Sequence, residues 1–121
     1  MYINYQNEEI ECVTTLRVAM NIQKKFRKPY LQVLSNIEEL DLEEQIKILF
    51  CGIELGKDNN ISFEDFKNYV LDNLGLEQLE NYLERFINSI QYPGLSEEEI
   101  EKKLIEKIEK QKKLREIGLN N

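Results

Sequence analysis

The chain has 121 residues, 16 of them Lys or Arg, 23 Asp or Glu and none His, for a formal net charge of −7. That length suits one domain able to bury a core without disulfide or metal staples. With no His there is no Ser-His-Asp triad, His base or His metal ligand; Cys12 and Cys51 are too far apart for a CxxC pair, and the five scattered Gly form no phosphate loop.

Tyr2-Ile3-Asn4-Tyr5 and Glu9-Ile10-Glu11-Cys12-Val13 alternate around the polar Gln6-Asn7-Glu8, which predicts a small hairpin. A lone hairpin is marginal in water, so one of its faces must lie on the helices that follow. Thr14 or Thr15 can cap a first helix carrying Leu16, Ala19, Met20, Ile22 and Phe26 at roughly helical spacing. That helix should stop near Lys28, because Pro29 disfavours α geometry in the residue before it and suits the first turn of the next segment. Tyr30, Leu31, Val33, Leu34 and Ile37 carry that short segment.

Asp41-Leu42-Glu43-Glu44 has the form of a capping box ahead of the stripe Leu42, Ile46, Leu49, Phe50 and Ile53, where Gly52 marks close packing. After a loop over 56–60, Ser62 restarts a helix with Phe63, Phe66, Val70 and Leu71 inward, and Gly75 is a good C-terminal stop. Leu76, Leu79, Tyr82, Leu83, Phe86, Ile87 and Ile90 form the strongest amphipathic stripe, ended by Pro93-Gly94.

The last segment differs. Ser96-Glu97-Glu98-Glu99 is a capping box opening a helix to about Ile117, with Gly118 as its stop. Residues 96–121 hold seven acids and seven bases, so the whole −7 resides in residues 1–95. Glu98–Lys102, Glu99–Lys103, Glu106–Lys110 and Glu109–Lys113 are Glu-before-Lys pairs at i,i+4. The apolar stripe is thin: Ile100, Leu104, Ile105, Ile108, Leu114 and Ile117. Such a helix leans on the body by one edge or receives a partner, and Ile100, Leu104, Ile105, Ile108 and Leu114 are the candidate partner-binding residues. Their spacing drifts around the helix, which disfavours a long coiled coil.

The expected fold is mainly α: a small N-terminal β-hairpin, then a compact bundle of five or six helices, with a charged C-terminal helix. Residues 1–94 form the helical domain with its hairpin; 95–121 form the charged amphipathic helix, docked or partner-binding.

Two other segments bear on function. Glu54 to Asp65 lies between helices and ends Ile61-Ser62-Phe63-Glu64-Asp65-Phe66, like the second half of a calcium-binding EF-hand loop. Loop position 3 is Gly56, position 6 is Asn59 instead of Gly, and position 12 is Asp65 instead of a bidentate Glu, so two ligand positions are defective. A degenerate EF-hand adaptor is one alternative; a plain helix–loop–helix turn with a Ser62 cap is the simpler reading. Lys24-Lys25-Phe26-Arg27-Lys28 could serve a small DNA-binding regulator, but residues 38–84 carry 13 acids against three bases and offer it an intramolecular partner. Net acidity argues against general nucleic-acid or anionic-membrane binding. Apolar runs fall far short of the roughly 20 residues of a membrane helix, and the N-terminus lacks the pattern of a signal peptide. The Cys are then expected to be reduced and buried. No catalytic residue, metal or cofactor is expected, and Cys51 has no His to activate it.

The layout resembles a family. A hairpin over Tyr2 to Val13 leads to Thr15, Leu16 and Ala19. A basic helix ends in Lys28-Pro29 before Tyr30 to Leu34, and Asp41 to Phe50 and Ile61 to Phe66 follow. Over about residues 1–90 this is similar to the small tail assembly chaperones of long-tailed bacteriophages and prophages of low-GC bacteria. The abundance of Ile, Asn, Lys and Glu, with Ala19 the lone alanine, fits an AT-rich coding sequence. The resemblance implies a non-enzymatic cytoplasmic role in the bacterial host cell. The partners would be the tape-measure protein, kept soluble, and the tail tube protein. It transfers no site residue. Homo-oligomer formation is compatible with it.

Overall fold

In a computed structural model, residues 1–57 and 60–119 are described, without the side chains of Glu97 and of 114–119. Among the described residues the fold is mainly helical: an antiparallel hairpin followed by six helices. Strands β1 (Tyr2–Tyr5) and β2 (Glu8–Glu11) pair with Ile3 opposite Ile10 and Tyr5 opposite Glu8. Glu8 therefore belongs to β2, not to the turn. The turn is the two residues Gln6 and Asn7, both at positive φ (51° and 65°), as a tight hairpin connection requires. Alternation sends Ile3 and Ile10 to one buried face. The Cys12 N–H continues the pairing to the Met1 carbonyl (2.8 Å), and the Val13 N–H donates to the Gly52 carbonyl (3.0 Å). The hairpin is also tied to α5, where the Asn4 N–H donates to Tyr82 Oη at 3.3 Å.

Helix α1 (Leu16–Phe26) ends two residues before Lys28, because Arg27 turns left-handed at φ 56° and closes the helix with its N–H on the Gln23 carbonyl. Thr15 is its N-cap, without a side-chain bond. The inward face differs from the one expected. Val18, Ala19 and Ile22 are buried, whereas Leu16 and Met20 are each 71% exposed. Leu16 and Val18 lie about 200° apart around a helix, so both cannot face the core. Helix α2 (Tyr30–Ser35) starts directly after Pro29, and a 3₁₀ turn (Ile37–Glu39) leads to α3.

Helix α3 (Leu42–Ile53) is the centre of the fold. Asp41 accepts the Glu44 N–H at 2.8 Å and caps it. Every residue from Ile48 to Ile53 is buried, as in a helix covered on all sides. It packs against α1, α4, α5 and β2. Leu42, at its solvent end, is exposed. Gly52 is the point of closest approach. A Cβ there would meet Cys12 Sγ, the Val13 carbonyl at 2.7 Å and Phe86 at 3.3 Å, so only hydrogen fits.

Helix α4 (Phe63–Asn73) is capped by Ser62, which accepts the Asp65 N–H at 3.1 Å. Phe66 and Val70 are buried, but Leu71, expected inward, is exposed. It sits about 100° around the helix from Val70. Leu74 closes α4. Gly75, expected to stop it, instead has an ordinary φ of −86° and is the N-cap of α5 (Leu76–Gln91), its N–H donating to Gln78 Oε1 at 3.0 Å. Leu79, Leu83 and Phe86 anchor α5 in the core, while Leu76 is 68% exposed. Helix α6 (Glu97–Leu119) runs through Gly118, expected as its stop. No described helix is long and apolar enough to cross a membrane.

Candidate docking surfaces

The start of α6 is fixed by its cap. Ser96 Oγ accepts the Glu99 N–H and donates to the Glu99 carboxylate, both at 3.2 Å, and the Ile100 N–H closes the first turn on the Ser96 carbonyl. Of the five candidate residues, Ile100 is 6% exposed and Leu104 is half-buried. Ile105 and Ile108 stand 50% and 62% exposed, and the Leu114 side chain lies outside the described residues. The stripe thus divides into a seated first turn and an open apolar edge one turn further on. A helix of 23 residues is about 34 Å long, and among the described residues α6 makes no extensive packing with any other element. Beside its first turns, Lys103 Nζ lies 5.9 Å from the Tyr92 ring. None of the four Glu–Lys pairs is closed. An exposed pair gains too little to hold two long side chains in one geometry.

The structure sets the two other segments in context. In the EF-hand-like loop, Asp58 and Asn59 lie outside the described residues. Glu54, at loop position 1, is already engaged. Its Oε1 accepts from Asn21 Nδ2 at 2.6 Å and pairs with Lys25 Nζ at 3.3 Å, while Asn21 also donates to the Cys51 carbonyl at 2.9 Å. A carboxylate that ties α1 to α3 is poorly placed to bind calcium. Gly56, at position 3, has a packing reason: a Cβ there would approach the Glu11 carbonyl to 2.8 Å. Among the described residues no three His, Cys, Asp or Glu side chains cluster to hold a metal. The basic segment finds the intramolecular acid its charge calls for, in Lys25–Glu54. Arg17 and Lys24 instead border a shallow apolar depression formed by Leu16, Met20 and Leu55.

Both thiols are free and buried. Burial pushes each up to about 12, from a usual value of 9.0. The glutamates Glu11 (beside Cys12) and Glu54 (beside Cys51) push the same way, and Cys12 Sγ donates to the Leu49 carbonyl at 3.5 Å. Neutral thiols among apolar side chains pack the core.

One surface escaped sequence reasoning. A groove of about 600 Å³ runs between α5 and the 3₁₀ turn, with Leu79 and Leu83 in its floor. Gln45 Nε2 holds the opposite wall by donating to the Ile37 carbonyl at 2.9 Å. The stripe on α5 was legible, but its outer edge reads in sequence as core. The signal that could have separated them is the Glu80–Glu84 pair one position along from Leu79 and Leu83.

Comparisons with protein-family models, curated proteins and solved structures found no match for this chain.

Proposed function

We propose that this protein is a non-enzymatic tail assembly chaperone of a long-tailed phage or prophage. It binds the tape-measure protein, keeps it soluble and assists assembly with the tail tube protein in the host cytoplasm. The reading rests on the sequence resemblance over about residues 1–90. The observation that supports it best is the open apolar edge of α6, where Ile105 and Ile108 are exposed just beyond the seated Ile100. A helical client can cover such an edge by helix-to-helix docking, trading two solvated apolar faces for one buried contact. Ile105 and Ile108 are already about half covered, so burying the remainder adds about 1 kcal/mol each, a weak edge contact that suits a chaperone that must later release its client.

The test is co-expression with the tape-measure protein of the same phage or prophage. The expected outcome is more soluble tape-measure protein and co-purification of the two chains. Unchanged solubility together with no co-purification would sink the reading.

A further inference from the structure

The groove on α5 carries a second inference, independent of α6. From Leu76 to Ile87, both lining it, α5 climbs about 16 Å, three helical turns. Leu79 and Leu83 lie buried beneath, while Leu76 is 68% exposed at one end. Across from α5 stands Ile37, held in place through Gln45. The trough therefore has the length of a three-turn helix, with leucines at its base and Leu76 open at one end.

Its rim decides the occupant. Glu80 and Glu84 lie one turn apart on the α5 side, and Glu38 stands on the 3₁₀ side. No Lys or Arg lines the groove, and among the described residues none of these three carboxylates forms an ion pair. Three uncompensated carboxylates beside an apolar trough repel acidic helices, nucleic acid and anionic lipid alike. They favour a polypeptide whose apolar stripe is flanked by cations at the same one-turn spacing.

We propose that this groove docks a Lys- or Arg-flanked amphipathic helix of another protein. The Leu-type stripe of the helix fills the space over Leu79 and Leu83 and covers Leu76. Its cations meet Glu80 and Glu84 on one side and Glu38 on the other.

The experiment uses the full-length ¹⁵N-labelled chain and a synthetic amphipathic peptide of about 18 residues, Leu on one face and Lys flanking it. A scrambled peptide of the same composition and a Glu-flanked version serve as comparisons. Amide shifts are expected to concentrate in residues 37–45 and 76–88 with the Lys-flanked peptide, and neither comparison peptide should bind comparably. Glu80→Lys with Glu84→Lys should weaken binding at least about tenfold. Glu8→Lys with Glu9→Lys changes net charge equally on the hairpin, no residue of which lines the groove, and should leave it within about twofold. These four residues are exposed, so circular dichroism should be unchanged. Absent binding, equal binding of the scrambled peptide, shifts centred elsewhere, or equal losses from the two double variants would each overturn the proposal. The chaperone reading stands or falls separately. Tape-measure co-purification unaffected by Glu80→Lys with Glu84→Lys keeps that reading while removing this groove from client binding, and peptide docking without co-purification does the reverse.

Discussion

Gly52→Ala probes the joint on which the hairpin, α3 and α5 converge. The new methyl would be driven into Cys12 Sγ, the Val13 carbonyl (2.7 Å) and Phe86 (3.3 Å). Two of these neighbours are buried core side chains, and the third is backbone whose own residue hydrogen-bonds to the Gly52 carbonyl at 3.0 Å. None can swing aside freely. Overpacking of this kind costs about 1–3 kcal/mol, and stretching the Val13 hydrogen bond adds about 0.5–1.5 kcal/mol. The gain in helix propensity from Gly to Ala returns about 1 kcal/mol. The net expectation is a loss of about 0.5–3.5 kcal/mol. With an unfolding entropy of about 2.1 cal/mol/K per residue over 121 residues, each kcal/mol lowers Tm by about 4 °C, so the drop should be about 2–14 °C. Gly75→Ala is the comparison, because nothing lies within 4 Å of its added Cβ; it should cost no more than about 1 kcal/mol, for a poorer N-cap. Urea denaturation with a double-mutant cycle refines the test: Cys12→Ala removes one clashing atom, so Gly52→Ala should cost less in that background by about 0.5 kcal/mol or more. A Gly52→Ala protein as stable as the parent, or strict additivity with Cys12→Ala, would refute the packing argument.

Three further outcomes follow from single contacts. Replacing Gln6-Asn7 by Asn-Gly suits two consecutive positive-φ positions better and should raise stability by about 0.5–1 kcal/mol, read as a higher urea midpoint. Because burial raises both thiols to about 12, unfolding releases their protons above about pH 9; stability should be intact below that and fall by about 1.4 kcal/mol per pH unit per thiol as pH rises toward 12, a slope that Cys12→Ala with Cys51→Ala should flatten. Calorimetric titration with calcium should give a flat trace, since Glu54 is held by Asn21 and Lys25, and heat abolished by Asp58→Ala would contradict that account.

Much of this fold was legible because local chemistry and tertiary structure agree. Asp41, Ser62 and Ser96 each cap the helix their sequence context announces. Gly52 inside an apolar helix signalled close packing. The misses share a physical origin. Leu16, Met20, Leu71 and Leu76 are apolar, but apolarity does not say which face of a short helix meets the core. That choice is made by partners distant in sequence. Gly75 was legible as a break, yet a break between adjacent helices serves the start of one as well as the end of the other. On α6 the sequence could not divide the stripe, because the burial of Ile100 and the exposure of Ile105 depend on where the body of the domain ends. The α5 groove needed the 3₁₀ turn as its second wall, and that juxtaposition is invisible in either segment alone.

Whether the outer edge of α6 receives the tape-measure protein, as proposed, is decided by one comparison. The tape-measure protein is co-expressed with the native chain or with Ile105→Asp and Ile108→Asp together, and its soluble, co-purifying fraction is measured. Both side chains already face solvent, so the variant should fold as the parent does. Each Asp sets a carboxylate in the contact, so co-purification should fall about tenfold or more. Undiminished co-purification with the folded double variant would contradict the claim.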